Sequence, residues 1–200
     1  MNPFPERLCT AFEGTRCIAS GPLNEVALKT KTVIDRGERA SVLIFDDLNG
    51  DVIDVDFRGL PEHVLARLQA LIDTPSSPEA EAPRRVGRPN LGVVAREVTL
   101  LPRHWDWLNR QPGGASVALR KLVEQARRAN DGKDRIRQAQ EAAYRFISAL
   151  AGNEPGFEEA ARALFAGNSS KFAEQVDAWP VDVRDHAKRL AEGAFPELSA

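Results

Sequence analysis

One strand-forming segment in the middle of this chain has no neighbour in sequence to pair with. Residues 91–101, ending Arg96-Glu97-Val98-Thr99-Leu100-Leu101, read as a short strand. Pro102 to Gln111 then reads as a short helix. Pro112-Gly113-Gly114-Ala115-Ser116 is a turn, and Val117 to Arg128 a second helix. A lone strand cannot satisfy its own backbone N–H and C=O groups. The simplest mate is the same strand from a second copy, so the sequence predicts a homodimer or a higher assembly.

The strand alternates in two ways. In one register Val94, Val98 and Leu100 point inward and Ala95, Glu97 and Thr99 outward, with Arg96 near the strand end reaching past the core. The other register puts Glu97, Thr99 and Leu101 inside, and an unpaired buried carboxylate is costly. The first is preferred. Pro102 suits the first helical position, where its missing N–H costs nothing. Trp105 and Leu108 share a face, whereas Trp107 lies off it. Pro112-Gly113-Gly114 stops the helix, and Ser116 is an N-cap for the next one. Leu119, Leu122, Val123 and Ala126 recur at i, i+3, i+4 and i+7, a buried stripe. The predicted dimer core is Val98, Leu100, Trp105, Leu108, Leu119, Leu122 and Val123.

The order strand–helix–helix with a solitary strand resembles the ribbon-helix-helix DNA-binding proteins. That resemblance covers about 40 residues and implies an antiparallel two-chain ribbon in the major groove. It also implies a phosphate held at the N-terminus of the second helix. Carried onto this chain, Glu97 and Thr99 are the base-facing positions, and Ala115, Ser116 and Val117 the phosphate anchor. Arg96 and Arg120 are further phosphate candidates. The chain departs from the pattern at Glu97, where the family carries a basic or neutral polar residue; a carboxylate accepts from cytosine N4 but is repelled by phosphate. Gly87-Arg88-Pro89 resembles a minor-groove AT-hook core, with Val86 where that motif has arginine. Arg84, Arg85 and Arg88 therefore join the phosphate or minor-groove candidates; a solvated linker accounts for them equally well. Residues 87–128 and their flanks also resemble an uncharacterised bacterial family, a domain of unknown function, which implies no activity.

Charge supports a polyanion partner for the middle of the chain. Residues 84–145 hold 14 Lys or Arg against 6 Asp or Glu, a balance of +8. Residues 1–83 hold 8 against 14 (−6), and residues 146–200 hold 5 against 9 (−4). Neutralising phosphates releases counterions, so such a stripe suits nucleic acid; solvated helix faces explain the same counts. No apolar run is long enough to span a bilayer and no signal segment is visible. The expected setting is cytoplasmic. Cys9 and Cys17 fall on two arms of one hairpin, where two small buried residues are expected and a redox pair is the alternative.

The fold class expected is α+β, in four parts. Residues 1–73 read as a ββαββα unit. It has a strand pair from Leu8 to Ser20 and a helix from Pro22 to Arg36. A second strand pair turns at Asn49-Gly50 and ends near Phe57, and another helix starts at Leu60-Pro61. Residues 74–90 are a linker with a basic arm, residues 91–130 the ribbon-helix-helix, and residues 134–200 a helical region.

Enzyme chemistry finds no support. His63, His104 and His186 lack second ligands at metal spacing. Asp46, Asp47, Asp51, Asp54 and Asp56 crowd the second hairpin, but a calcium loop set by Gly50 would begin at Phe45. They read as wet-face and turn residues, with a cation or basic-partner patch as the alternative. No phosphate-binding glycine loop, nucleophile elbow or activated nucleophile is visible, so no cofactor is expected. Two functions remain. One is a dimeric DNA-binding regulator, in which residues 1–73 sense a signal or bind a protein. The other is a scaffold or antitoxin-like protein in which the same module serves dimerisation.

Overall fold

Cys9 to Phe12 are buried one after another, without the alternation of a half-wet strand. Such burial requires cover on both faces of a sheet. These residues form β1 (Leu8–Glu13), the middle of a three-stranded antiparallel sheet ordered β2–β1–β3, with β2 at Arg16–Pro22 and β3 at Val42–Asp46. A computed structural model describes residues 8–37, 40–73 and 96–195, excepting the side chains of 71–73. No helix among them is long and apolar enough to cross a membrane. They fall into two compact units: those before 74 together with those from 132 onward, and those between 96 and 131.

In the first unit, one sheet face carries Cys9, Ala11, Ala19 and Ile44 against Val26 of α1 (Leu23–Asp35). Ala27 of α1 packs on Val64 and Leu68 of α2 (Pro61–Asp73). The other face carries Phe12 and Phe45 against Ala143, Phe146 and Ile147 of α4 (Gly114–Leu150). The same core continues through α5 (Phe157–Phe165), α6 (Ser169–Val176) and α7 (Val181–Ala191), which a short 3-10 turn follows. The phenyl rings of Phe12, Phe45 and Phe146 meet with centroids 5.0–6.1 Å apart.

The expected N-terminal unit therefore does not close by itself. Its second sheet face is covered by helices from the C-terminal segment, because a sheet buried on both faces needs two layers of cover.

Two expected elements take a different form. The arm after Asn49-Gly50 makes a single β-bridge, Phe45 to Val52, plus a 2.7 Å bond from the Ile53 N–H to the Ile44 carbonyl. Beyond it the chain leaves the sheet edge. Ile53, Val55 and Phe57 turn to the α1-side clusters while Asp54 and Asp56 face out, so the expected alternation is present without a ladder. Partly burying Val55 and Phe57, at up to about 1.5–3 kcal/mol each when complete, outweighs edge hydrogen bonds of about 0.5–1.5 kcal/mol net. The Arg67 guanidinium instead donates to the Asp56 and Arg58 carbonyls at 2.7 and 2.5 Å.

The helices expected on either side of residues 129–134 are one helix. α4 runs unbroken through Asn130, Asp131 and Gly132. A single exposed glycine costs about 1 kcal/mol in a helix interior. That is too little to stop one supported by the Asp134–Arg137 bond and by Asn130 donating to the Ala126 carbonyl.

Cys9 and Cys17 are not joined in a disulfide. Cys9 stands opposite Gly21 and Cys17 opposite Phe12, which puts them roughly 10 Å apart along the hairpin.

Candidate nucleic-acid interface

Pro102 opens α3 (Pro102–Asn109) at its first turn, as the sequence predicts. Leu101 before it is extended, with φ −65° and ψ 150°. Residues 96–101 are neither helix nor strand, and the described sheet does not include them. Glu97, Val98 and Thr99 are all exposed and Leu100 is half-buried. The preferred inward face is thus not buried within one chain: Val98 is 56% exposed.

The turn after α3 uses glycine for a stated reason. Gly113 and Gly114 sit at φ +87° and +75°, a left-handed pair that side-chain-bearing residues adopt rarely. Gly114 also donates its N–H to the Gln111 carbonyl at 2.9 Å. Since α4 begins at Gly114, Ser116 lies in its first turn and does not cap it. This corrects the N-cap expectation: the glycine pair satisfies the turn two residues earlier. Val117 lies where the first intrahelical N–H bonds form, so the donors of this helix end are those of Ala115 and Ser116. Of the three positions expected to anchor a phosphate, Val117 therefore has its amide taken up in the helix. Arg120 bends back, its Nε donating to the Ser116 carbonyl at 3.2 Å.

Of the expected dimer-core residues, Leu108 is buried and Leu100 and Leu119 are half-buried. Trp105, Leu122 and Val123 are 37%, 43% and 64% exposed. Trp107, off the stripe, is half exposed. Arg127 and Arg128 both donate to Glu124, whose carboxyl they hold below its ordinary value. Arg96 is exposed. Arg84, Arg85, Arg88 and Val94 lie outside the described residues.

A polar cluster in the first unit went unnoticed in the sequence. Thr10 Oγ1 donates to Asp47 Oδ2 at 3.1 Å and lies 3.0 Å from Ser20 Oγ. His186 Nε2 is 3.6 Å from Asp47 Oδ1. Burial raises the Asp47 carboxyl and pushes the His186 imidazole down to about 4, with the Arg189 charge adding to the latter. The only hint was spacing: Val183, His186, Ala187 and Leu190 recur at i, i+3, i+4 and i+7, so His186 shares the buried face of α7. The acidic turn is likewise less wet than expected, for Asp46 is buried and its Oδ1 accepts the Leu48 N–H at 2.8 Å. No group of three or more metal-ligating side chains occurs among the described residues.

These features define an α+β protein with a three-stranded sheet clad on both faces and, over residues 98–123, an extended stretch, α3 and the start of α4 with exposed apolar side chains. The chain belongs to the family described as "Uncharacterized protein conserved in bacteria (DUF2239)", which matches residues 8–191. No curated protein and no solved structure matches.

Proposed function

We propose that this protein is a homodimeric DNA-binding regulator in which residues 91–130 form a two-chain ribbon-helix-helix. The observation that carries this reading is the exposure of Val98, Leu122 and Val123 on one short segment. Their alternation and helical spacing call for burial. Clustered exposed apolar residues of this kind mark a contact surface. A second copy supplies both the missing strand partner and the missing cover, and leaves Glu97 and Thr99 facing the groove. Ala115 and Ser116 then offer backbone N–H groups to a phosphate, with Arg96, Arg120 and the basic arm (Arg84, Arg85, Arg88) adding charge.

Sedimentation equilibrium and duplex titration test the reading. The expected mass is that of a dimer at micromolar concentration, and Val98→Pro, which removes a ladder donor, yields monomer while the first unit stays folded. DNA affinity falls by orders of magnitude between about 50 and about 200 mM salt. A monomeric wild type, or binding indifferent to salt, defeats the proposal.

Glu97 at the surface and the hold of Glu124 on Arg127 and Arg128 favour a second reading, in which the module only dimerises. Replacing Arg84, Arg85, Arg88 and Arg120 together by alanine separates the two. Loss of DNA binding with the dimer intact supports the regulator, and unchanged behaviour supports the scaffold.

A further inference from the structure

The turn between β3 and Val52 is tied to three elements. Asp47 donates its N–H to the Leu8 carbonyl at 3.0 Å and accepts from Thr10 of β1. Gly50 lies against the Ala142 backbone of α4, and Arg145 of α4 donates to the Asn49 carbonyl at 2.8 Å. The third tie runs to α7 through His186, and it is incomplete. Asp47 Oδ1 and both ring nitrogens of His186 are buried without a hydrogen-bond partner, a rare condition in protein interiors. The imidazole packs edge-on against the rings of both Phe12 and Phe146, at 5.5 and 4.5 Å between centroids.

We propose that Asp47 and His186 form an acid-sensitive latch: the neutral imidazole holds α7 against the turn and β1, and its protonation releases that contact. As a neutral donor, Nε2–H needs to close by well under 1 Å to bond Asp47 Oδ1. As an imidazolium it meets a poor setting. Asp47 faces it from the turn and Arg189 acts on it from α7, while Asp46 adjoins Asp47 and Asp182 stands one turn earlier on α7. Asp182 Oδ2 is occupied by the Cys17 N–H of β2 at 2.8 Å. Arg145 of α4 is directed to Asn49 and to Asp51, 3.4 Å away. β1 offers Thr10 and Phe12, and α4 offers Phe146. Arg189 repels the cation. Burial raises the Asp47 carboxyl above its ordinary value, which weakens it as a counter-charge for an imidazolium.

The sign follows from linkage. The imidazole titrates at 6.5 ordinarily and at about 4 when folded. Its contribution is therefore complete above pH 6.5 and is lost as pH falls toward 4, by up to about tenfold in the unfolding constant per pH unit. Asp47, raised, acts oppositely: its contribution is complete below 3.8 and lost as pH rises through its folded value, so it offsets the lower part of that loss.

Urea unfolding from pH 7 to pH 4 tests the latch on the full chain. The wild type is expected to weaken across that range. His186→Gln flattens the dependence and Asp47→Asn steepens it. Should His186→Gln fail to fold, NMR titration of the wild-type ring decides. The latch requires a neutral His186 ring at pH 5.5, and amide shifts at Leu48, Gly50 and Arg189 that follow its protonation. An unchanged acid slope in His186→Gln, a ring protonated at pH 6.5 or above, or protonation without those amide shifts overturns it.

Discussion

Gly50 is the residue where one added atom does most harm. A Cβ there would lie 2.2 Å from the Ala142 carbonyl oxygen, and the backbone sits at φ +71°. Gly50→Ala is expected to cost more than about 2 kcal/mol, combining left-handed strain of about 1–3 kcal/mol with the clash. The drop in urea midpoint measures it. The Asn-Gly pair announces a turn in the sequence, but nothing local announces that the turn must also touch a helix more than ninety residues away. The acidic residues show the same limit. Asp54 is wet as expected, and Arg58 hydrogen-bonds Asp56 and holds its carboxyl well below the usual carboxylate range. Asp46 and Asp47 instead turn inward, because their neighbours Leu8, Thr10 and Leu48 supply partners.

Elements were legible wherever punctuation is local. Pro22, Gly37, Pro61 and Pro102 bracket helices in the sequence and do so in the structure. The Gly113-Gly114 turn was visible too, though its end lies two residues earlier than Ser116 suggests. The boundary at 130–134 was not real, since propensity there is weak on both sides of the balance. Gly132 has open space around it, so Gly132→Ala is expected to add about 1 kcal/mol of stability. Thermal unfolding checks this; a loss of stability would mean that α4 needs flexibility at that point. The arm after Val52 failed for the opposite reason. Its alternation was right, but burial against α1 and α2 took precedence over strand pairing.

At the scale of the whole molecule, the ends of the chain share one core. Phe12 near one end and Phe172 near the other belong to a single apolar cluster. Phe12→Ala and Phe172→Ala are each expected to cost about 3–5 kcal/mol and to lower the same cooperative transition. Trp179, buried with its indole N–H donating to the Pro155 carbonyl at 2.8 Å, reports that transition once Trp105 and Trp107 are changed to Phe. Two separate transitions would mean that the N-terminal segment folds alone.

Local pattern was enough for the α+β class, the starts of α1, α2 and α3, the first hairpin and the apolar character of residues 98–123. Those features are set by backbone preferences and side-chain periodicity over a few residues. Only tertiary structure decided that the C-terminal helices roof the sheet, that the second hairpin dissolves into a bridge, and that Asp47 faces His186. Those outcomes depend on contacts such as Cys17 with Asp182, 165 residues apart, where packing and desolvation outweigh anything a local pattern encodes.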